Sequence, residues 1–484
     1  MESLIELLST LNKGERNLLQ KNLESNAQLK RSKLIGALLS HVDMSTHISY
    51  DELGLSEASR YQLAHSTKEW LFGFILQQDE KSKVKSPLSR KRILTFKYLI
   101  FSHTSNTRGI RKDSIGYLKK AIKIARQYEF VDLEIVALNQ LFARFMFMDR
   151  HQELKLFQNR IKELHKMSAY LNEVQWIRYE VAKNQSDISN WKTVERRLFK
   201  SRLERINQIA DETGLATVRA FYYRFAYRYY SATRDVKRTL KTAQDFLALA
   251  ASKPALKSLS NQAGGNLQIA TALNRLADFE KATIHARLAL KLFGKTNSNS
   301  EIASHVLFTA LFHSQNFVEA KTLTTKYKRN KWIKQYPFRR GKWLFFEAAL
   351  HYRNGEYVKS MSALRNCGDL LKDKTGWQYG YRLLEIYIQY ENYRAEIPDN
   401  YILNFRRFIR GHDVQVKSRV SLIIKVLRAL ERSRFNFTKV AKSNSKMLRT
   451  LEEGKGLYFY EPSGFEMIRF DLWFKEKLKQ YKRK

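Results

Sequence analysis

Two stretches place residues at a spacing suited to phosphodiester chemistry. Arg60 precedes His65 in RYQLAH, and Arg160 precedes His165 in RIKELH. On a helix, such a pair sets a cation able to hold phosphate near an imidazole able to move a proton. Neither arginine is followed by a polar residue, since Tyr61 and Ile161 stand there. In a chain with 87 Lys+Arg and 11 His, spacings of this kind arise by chance. Other catalytic signatures are missing. There is no GxxxxGK followed by Ser or Thr, and no GxGxxG, HExxH or GxSxG. The one cysteine, Cys367, excludes an intramolecular disulfide and any multi-thiolate metal site. We expect no enzyme, no catalytic residue, no metal and no cofactor.

The remaining chemistry is cationic and aromatic. YKRNKWIKQYPFRRGKW (327–343) holds seven basic residues and five aromatics without an acid. Lys328, Arg329, Lys331, Lys334, Arg339, Arg340 and Lys342 could contact a polyanion. Trp332 and Tyr336, four apart, could stack on exposed bases. The bland alternative is that the rings plug the core between two helix pairs, with the cations facing water. A second patch, Arg90, Lys91 and Arg92, follows Pro87. In RAFYYRFAYRYYSATRDVKR (219–238), Tyr223, Arg224, Tyr227 and Arg228 are candidates to line a groove, while Phe221 and Phe225 read as core. A further basic patch is terminal, in FRRFIRGH (405–412), KSRVSLIIKVLRALERSR (417–434) and the tail KEKLKQYKRK (475–484), the alternative for the tail being a solvated, frayed end.

The net charge is +40 and uneven. Residues 1–80 carry 8 Lys+Arg and 11 Asp+Glu, residues 81–130 carry 14 and 2, and residues 401–484 carry 21 and 8. So many like charges repel one another in the folded state, which points to a polyanionic partner. No apolar run reaches membrane-spanning length and no secretory leader opens the chain, so a cytoplasmic protein without integral membrane insertion is expected.

The elements that would position these residues are helices. Five prolines in 484 residues is about 1% against a usual ~5%, which leaves long stretches free to stay helical. LQIATALNRLADFEKATIHARLALKLF (267–293) reads as two helices around a turn at Ala277-Asp278, with small residues at Ala270, Ala282 and Ala289 and large ones at Leu273 and Phe279. Phe317 with Ala320, and Tyr357 with Ser360, repeat the pattern at intervals of 38 and 40 residues, with a looser copy at 221–243. This resembles the tetratricopeptide repeat, in which small residues let paired helices approach. The head sequence is also similar to that of a group of helical-repeat proteins with no activity attached.

The expected fold is all-α, a right-handed α-solenoid of degenerate tetratricopeptide-like helix pairs with a small N-terminal helical head. Expected boundaries are 1–80 for the head, 81–92 for a basic linker, 93–434 for the repeats and 435–484 for a basic helical cap and tail. The leading functional reading is a scaffold binding RNA or a ribonucleoprotein through a distributed basic surface. The alternative is an adaptor or regulator whose groove takes an acidic protein segment. Attachment to an anionic membrane surface and a nuclease rank below these.

Overall fold

The computed structural model describes residues 2–25, 29–44, 56–79, 86–148, 150–183, 193–294, 297–372, 376–393, 400–410 and 418–482. Among these, all regular structure is helical. The chain divides into two compact units, Met1–Asn172 and Glu173–Lys484.

The first unit contains α1 (Glu2–Ser9), α2 (Lys13–Ser25), α3 (Leu29–Met44), α4 (Glu57–Asp79), α5 (Pro87–Thr107), α6 (Arg111–Tyr128), α7 (Val131–Phe145) and the start of α8 (His151–Lys183). Leucines at helical spacing, Leu4 with Leu8 and Leu34 with Leu38, close the core of the head with Leu71 and Phe74. The described part of the sequence 81–92 is helix rather than connection. Ser86 caps α5 by accepting from the Ser89 amide, and Pro87 occupies the first turn, where a missing N–H costs nothing.

The second unit begins within α8. It continues with α9 (Thr193–Thr213), α10 (Ala216–Ala232), α11 (Val236–Ser252), α12 (Leu259–Arg275), α13 (Phe279–Phe293), α14 (Ser298–His313) and α15 (Phe317–Arg329). Then come α16 (Lys331–Lys334), α17 (Pro337–Arg353), α18 (Tyr357–Arg365), α19 (Trp377–Tyr393), α20 (Asn400–Arg410) and α21 (Arg419–Arg432). The short α22 (Phe437–Ser443) and α23 (Ser445–Glu453) and the final α24 (Phe470–Lys482) complete it.

One turn recurs within the helix pairs. Arg234, Ala277, Gln315 and Gly355 have φ of 62°, 59°, 63° and 75°, the left-handed conformation that ends a helix sharply. After each, a backbone amide reaches five residues back: Asp235 to the Tyr230 carbonyl, Asp278 to Leu273, Asn316 to Leu311 and Glu356 to His351, at 2.9–3.0 Å. The Asp235, Asp278 and Asn316 side chains then cap the next helix by accepting from the amides of Arg238, Lys281 and Glu319. Five residues past each left-handed residue stand Thr239, Ala282, Ala320 and Ser360, all fully buried. The larger residues at these points would hold paired helices apart, and this regular pairing is the tetratricopeptide-like repeat.

The array ends in an irregular segment, 454–469, between α23 and α24. Met467, Ile468, Phe470, Trp473 and Phe474 are buried in the same core as Trp343, Tyr381 and Tyr387. Gly380 on α19 makes room for it, because a Cβ there would collide with the Phe465 carbonyl. Inside this joint Arg419 donates to Glu466 at 2.6 and 2.9 Å, to Asp471 at 2.7 Å and to the Leu451 carbonyl at 2.6 Å. The C-terminal helix is therefore docked, not frayed: Lys477 is buried and paired with Glu391.

Candidate functional site: an arginine-lined cavity

Much of the basic segment 327–343 is already engaged within the protein. Lys328 pairs with Glu347 at 2.6 Å. The Arg339 guanidinium lies 4.8 Å from the Trp332 ring and 5.0 Å from that of Tyr336, and donates to Ser298 at 3.2 Å. Both candidate stacking rings thus have a cation over them, and Trp332 also packs on the core. The Lys342 ammonium sits 4.7 Å from the Trp377 ring. Arg329, Lys331, Lys334 and Arg340 remain exposed.

The second patch is similarly split. Arg92 pairs with Asp132 of α7 and lies 5.2 Å from the Phe130 ring, while Arg90 and Lys91 are half-buried on α5. Of the catalytic-type spacings, Arg160 is held by Glu134 at 3.0 and 3.1 Å, so its guanidinium is occupied. His65 lies 3.9 Å from Glu69. Cys367 donates to the Ala363 carbonyl at 3.3 Å, and burial pushes its thiol well up, which makes it inert.

The four groove candidates on α10 separate. Tyr223 packs on the core formed with Phe246 and Leu256. Arg224 donates to Asn261 of α12 at 2.6 Å and lies 5.0 Å from the Phe246 ring. Tyr227 and Arg228, one turn further, line a cavity of about 530 Å³. That size lies within the usual range for small-ligand pockets.

The cavity has two sides. The α10–α11 turn and the end of α12 supply Ser231, Arg234 and Arg275, and the 454–469 segment supplies Leu457, Phe459, Glu461 and Phe465. Arg275 ties the sides together by pairing with Glu461 at 2.7 Å while also donating to the Ser231 hydroxyl. Arg234 lies 5.8 Å from the Phe459 ring, and its buried Nη1 has no hydrogen-bond partner. Neither Arg228 nor Arg234 has a carboxylate within salt-bridge distance among the described residues. Burial lowers the pKa of both guanidiniums; at Arg234, Glu461 opposes this, and Arg196 and Arg275 add to it. The site is a partly desolvated pocket with more cation than anion, an arrangement that an acidic group entering it would relieve.

Arg234, Arg275, Glu461 and Phe459 were not singled out from sequence. Arg234 is detectable once the turns are aligned, because it stands where Ala277, Gln315 and Gly355 stand in the other pairs. Glu461 comes from a segment 186 residues from Arg275, and no local pattern announces it.

Among the described residues no His, Cys, Asp and Glu group could hold a metal ion, and no helix is long and apolar enough to cross a membrane. No family model and no curated protein matches the sequence. Among solved structures, the chain is similar to the apo form of RapI, at 13% identity and a TM-score of 0.42, over 76% of this chain and 97% of that one. It is also similar to yeast Tom70, at 12% identity and a TM-score of 0.34, over 87% of this chain and 93% of that one. Both similarities are remote and neither bears on the cavity.

Proposed function

We propose that the protein is a non-enzymatic, cytoplasmic helical-repeat adaptor that holds an acidic segment of a protein partner in the second unit. One observation carries this: a cavity of about 530 Å³ in which Arg228 and Arg234 form no ion pair among the described residues, beside apolar and aromatic walls. A peptide offers both an acidic side chain and apolar neighbours, so it uses such a pocket fully. Nucleic acid instead needs a row of open cations along the phosphate track. In the segment best suited to that role, Lys328, Arg339 and Lys342 are occupied.

RNA or ribonucleoprotein binding is the second reading, favoured by the four exposed cations Arg329, Lys331, Lys334 and Arg340. Panning the full-length protein against displayed peptides rich in Glu and Asp separates the two. We expect enriched peptides whose binding weakens with salt and is lost in the double variant Arg228→Glu, Arg234→Glu. The adaptor reading fails if no peptide enriches while labelled single-stranded RNA binds with a log–log salt slope steeper than about −3, at roughly −0.7 per phosphate contact.

A further inference from the structure

We infer that the cavity seats a phosphomonoester, clamped by the guanidiniums of Arg228 and Arg234. This rests on the acidic-partner reading and names the group that anchors the partner.

The charge count favours phosphate over carboxylate. Arg275 is neutralised by Glu461, and Arg419 faces Glu466 and Asp471. Arg228 and Arg234 are left without an ion-pair partner among the described residues, and Arg234 feels Glu461 only at longer range, where Arg275 already holds it. A carboxylate supplies one negative charge, whereas a phosphomonoester supplies about −1.5 to −2 at neutral pH and three acceptor oxygens. It also suits the several donors of two guanidiniums, including the unpaired Nη1 of Arg234. Internal nucleic-acid phosphates are diesters with a single charge and match less well.

The cavity is much larger than one phosphate group, so it also encloses part of what bears it, between Tyr227 and Phe459. Glu461 adds a further requirement. Its Oε2 is held by Arg275, while its buried Oε1 has no partner and remains able to accept. A peptide carries backbone N–H groups beside a phosphorylated side chain, and one of these meets that requirement. A free phosphorylated metabolite need not.

Arg234 gives the proposal a sharp test. Its φ of 62° strains a side-chain-bearing residue but not glycine. Ala277, Gln315 and Gly355 at the matching positions show that the turn does not need arginine. Arg234→Gly is therefore expected to remove the cation and its contact with Phe459 while keeping the turn.

The experiment measures affinity of the full-length protein for degenerate-flank peptides with a fixed phosphoserine, for the same peptides with Glu in its place, and for glycerol phosphate. We expect the phosphopeptides to bind about tenfold or more tightly than the Glu peptides. The advantage should shrink below about pH 6, where the phosphate takes up its second proton. Arg234→Gly and Arg228→Gln should each remove it, with the melting temperature of Arg234→Gly unchanged or higher. Glycerol phosphate binding as tightly as the phosphopeptides, and lost in both variants, would keep the site and make a free phosphomonoester its ligand. Equal binding of phosphorylated and Glu peptides would overturn the phosphate inference and leave the adaptor reading standing. Binding of none of the three would overturn both.

Discussion

His313 shows how a single buried side chain couples this fold to pH. Its ring lies 5.0 Å from that of Phe279, and its Nε2 is 3.2 Å from the Tyr460 hydroxyl. The Tyr460 proton can be accepted only while the imidazole is neutral. Burial pushes its pKa down to about 4, with a further push from Arg353. In the unfolded chain it returns to about 6.5, so the unfolded state binds more protons between these values. The stability His313 contributes is complete above about pH 6.5 and is lost as pH falls through about 4. Buried His305 acts in the same direction, for reasons of burial first and Lys342 second. We expect the melting temperature to fall by several degrees between pH 6.5 and 4.5, and His313→Gln to flatten part of that slope. A slope unchanged in the variant would remove His313 as its source. Sequence could flag eleven histidines, but which of them lose water is decided by neighbours distant in the chain.

At the scale of elements, the turn unit was the most legible feature. The Ala277-Asp278 turn and the small residues Ala282, Ala320 and Ser360 are local signals, because a helix end and a close helix contact each depend on a few adjacent residues. What the sequence alone did not mark was that Arg234 and Gln315 adopt the same left-handed conformation as Gly355. Two outcomes follow for denaturant unfolding. Asp278→Ala and Asn316→Ala should each cost about 1 kcal/mol through loss of the cap. Gln315→Gly should be neutral or stabilising by up to about 1 kcal/mol, since strain at the left-handed residue is relieved while the unfolded chain gains freedom. If Gln315→Gly is as damaging as the cap variants, the turn does not carry the strain assigned to it. Basic stretches between helices were less informative. Arg339 and Lys342 read as surface cations, yet both lie over aromatic rings, a placement available to any long side chain with an apolar stem.

Across the whole molecule, the second unit depends on its last segment. Trp473 stacks on Tyr387 at 4.5 Å and donates to the Tyr352 hydroxyl, while Arg419 is held between Glu466 and Asp471. A chain ending before Gly454 would expose that aromatic core and leave Arg419 buried without a counter-charge, a situation worth roughly 3–5 kcal/mol. We expect such a chain to lose its cooperative thermal transition and to bind a hydrophobic dye; an unchanged transition would mean the segment is an accessory. The sequence by itself determined the all-α class, the paired helices and the excess of positive charge, since these follow from composition and from patterns a few residues long. Tertiary structure alone decided which cations are spent inside the protein and which stay open. It also built the cavity, by bringing Glu461 and Phe459 against Arg234 and Arg275 across nearly two hundred residues of chain. The physical reason is that burial and charge balance are sums over neighbours in space, and the sequence orders neighbours only along the chain.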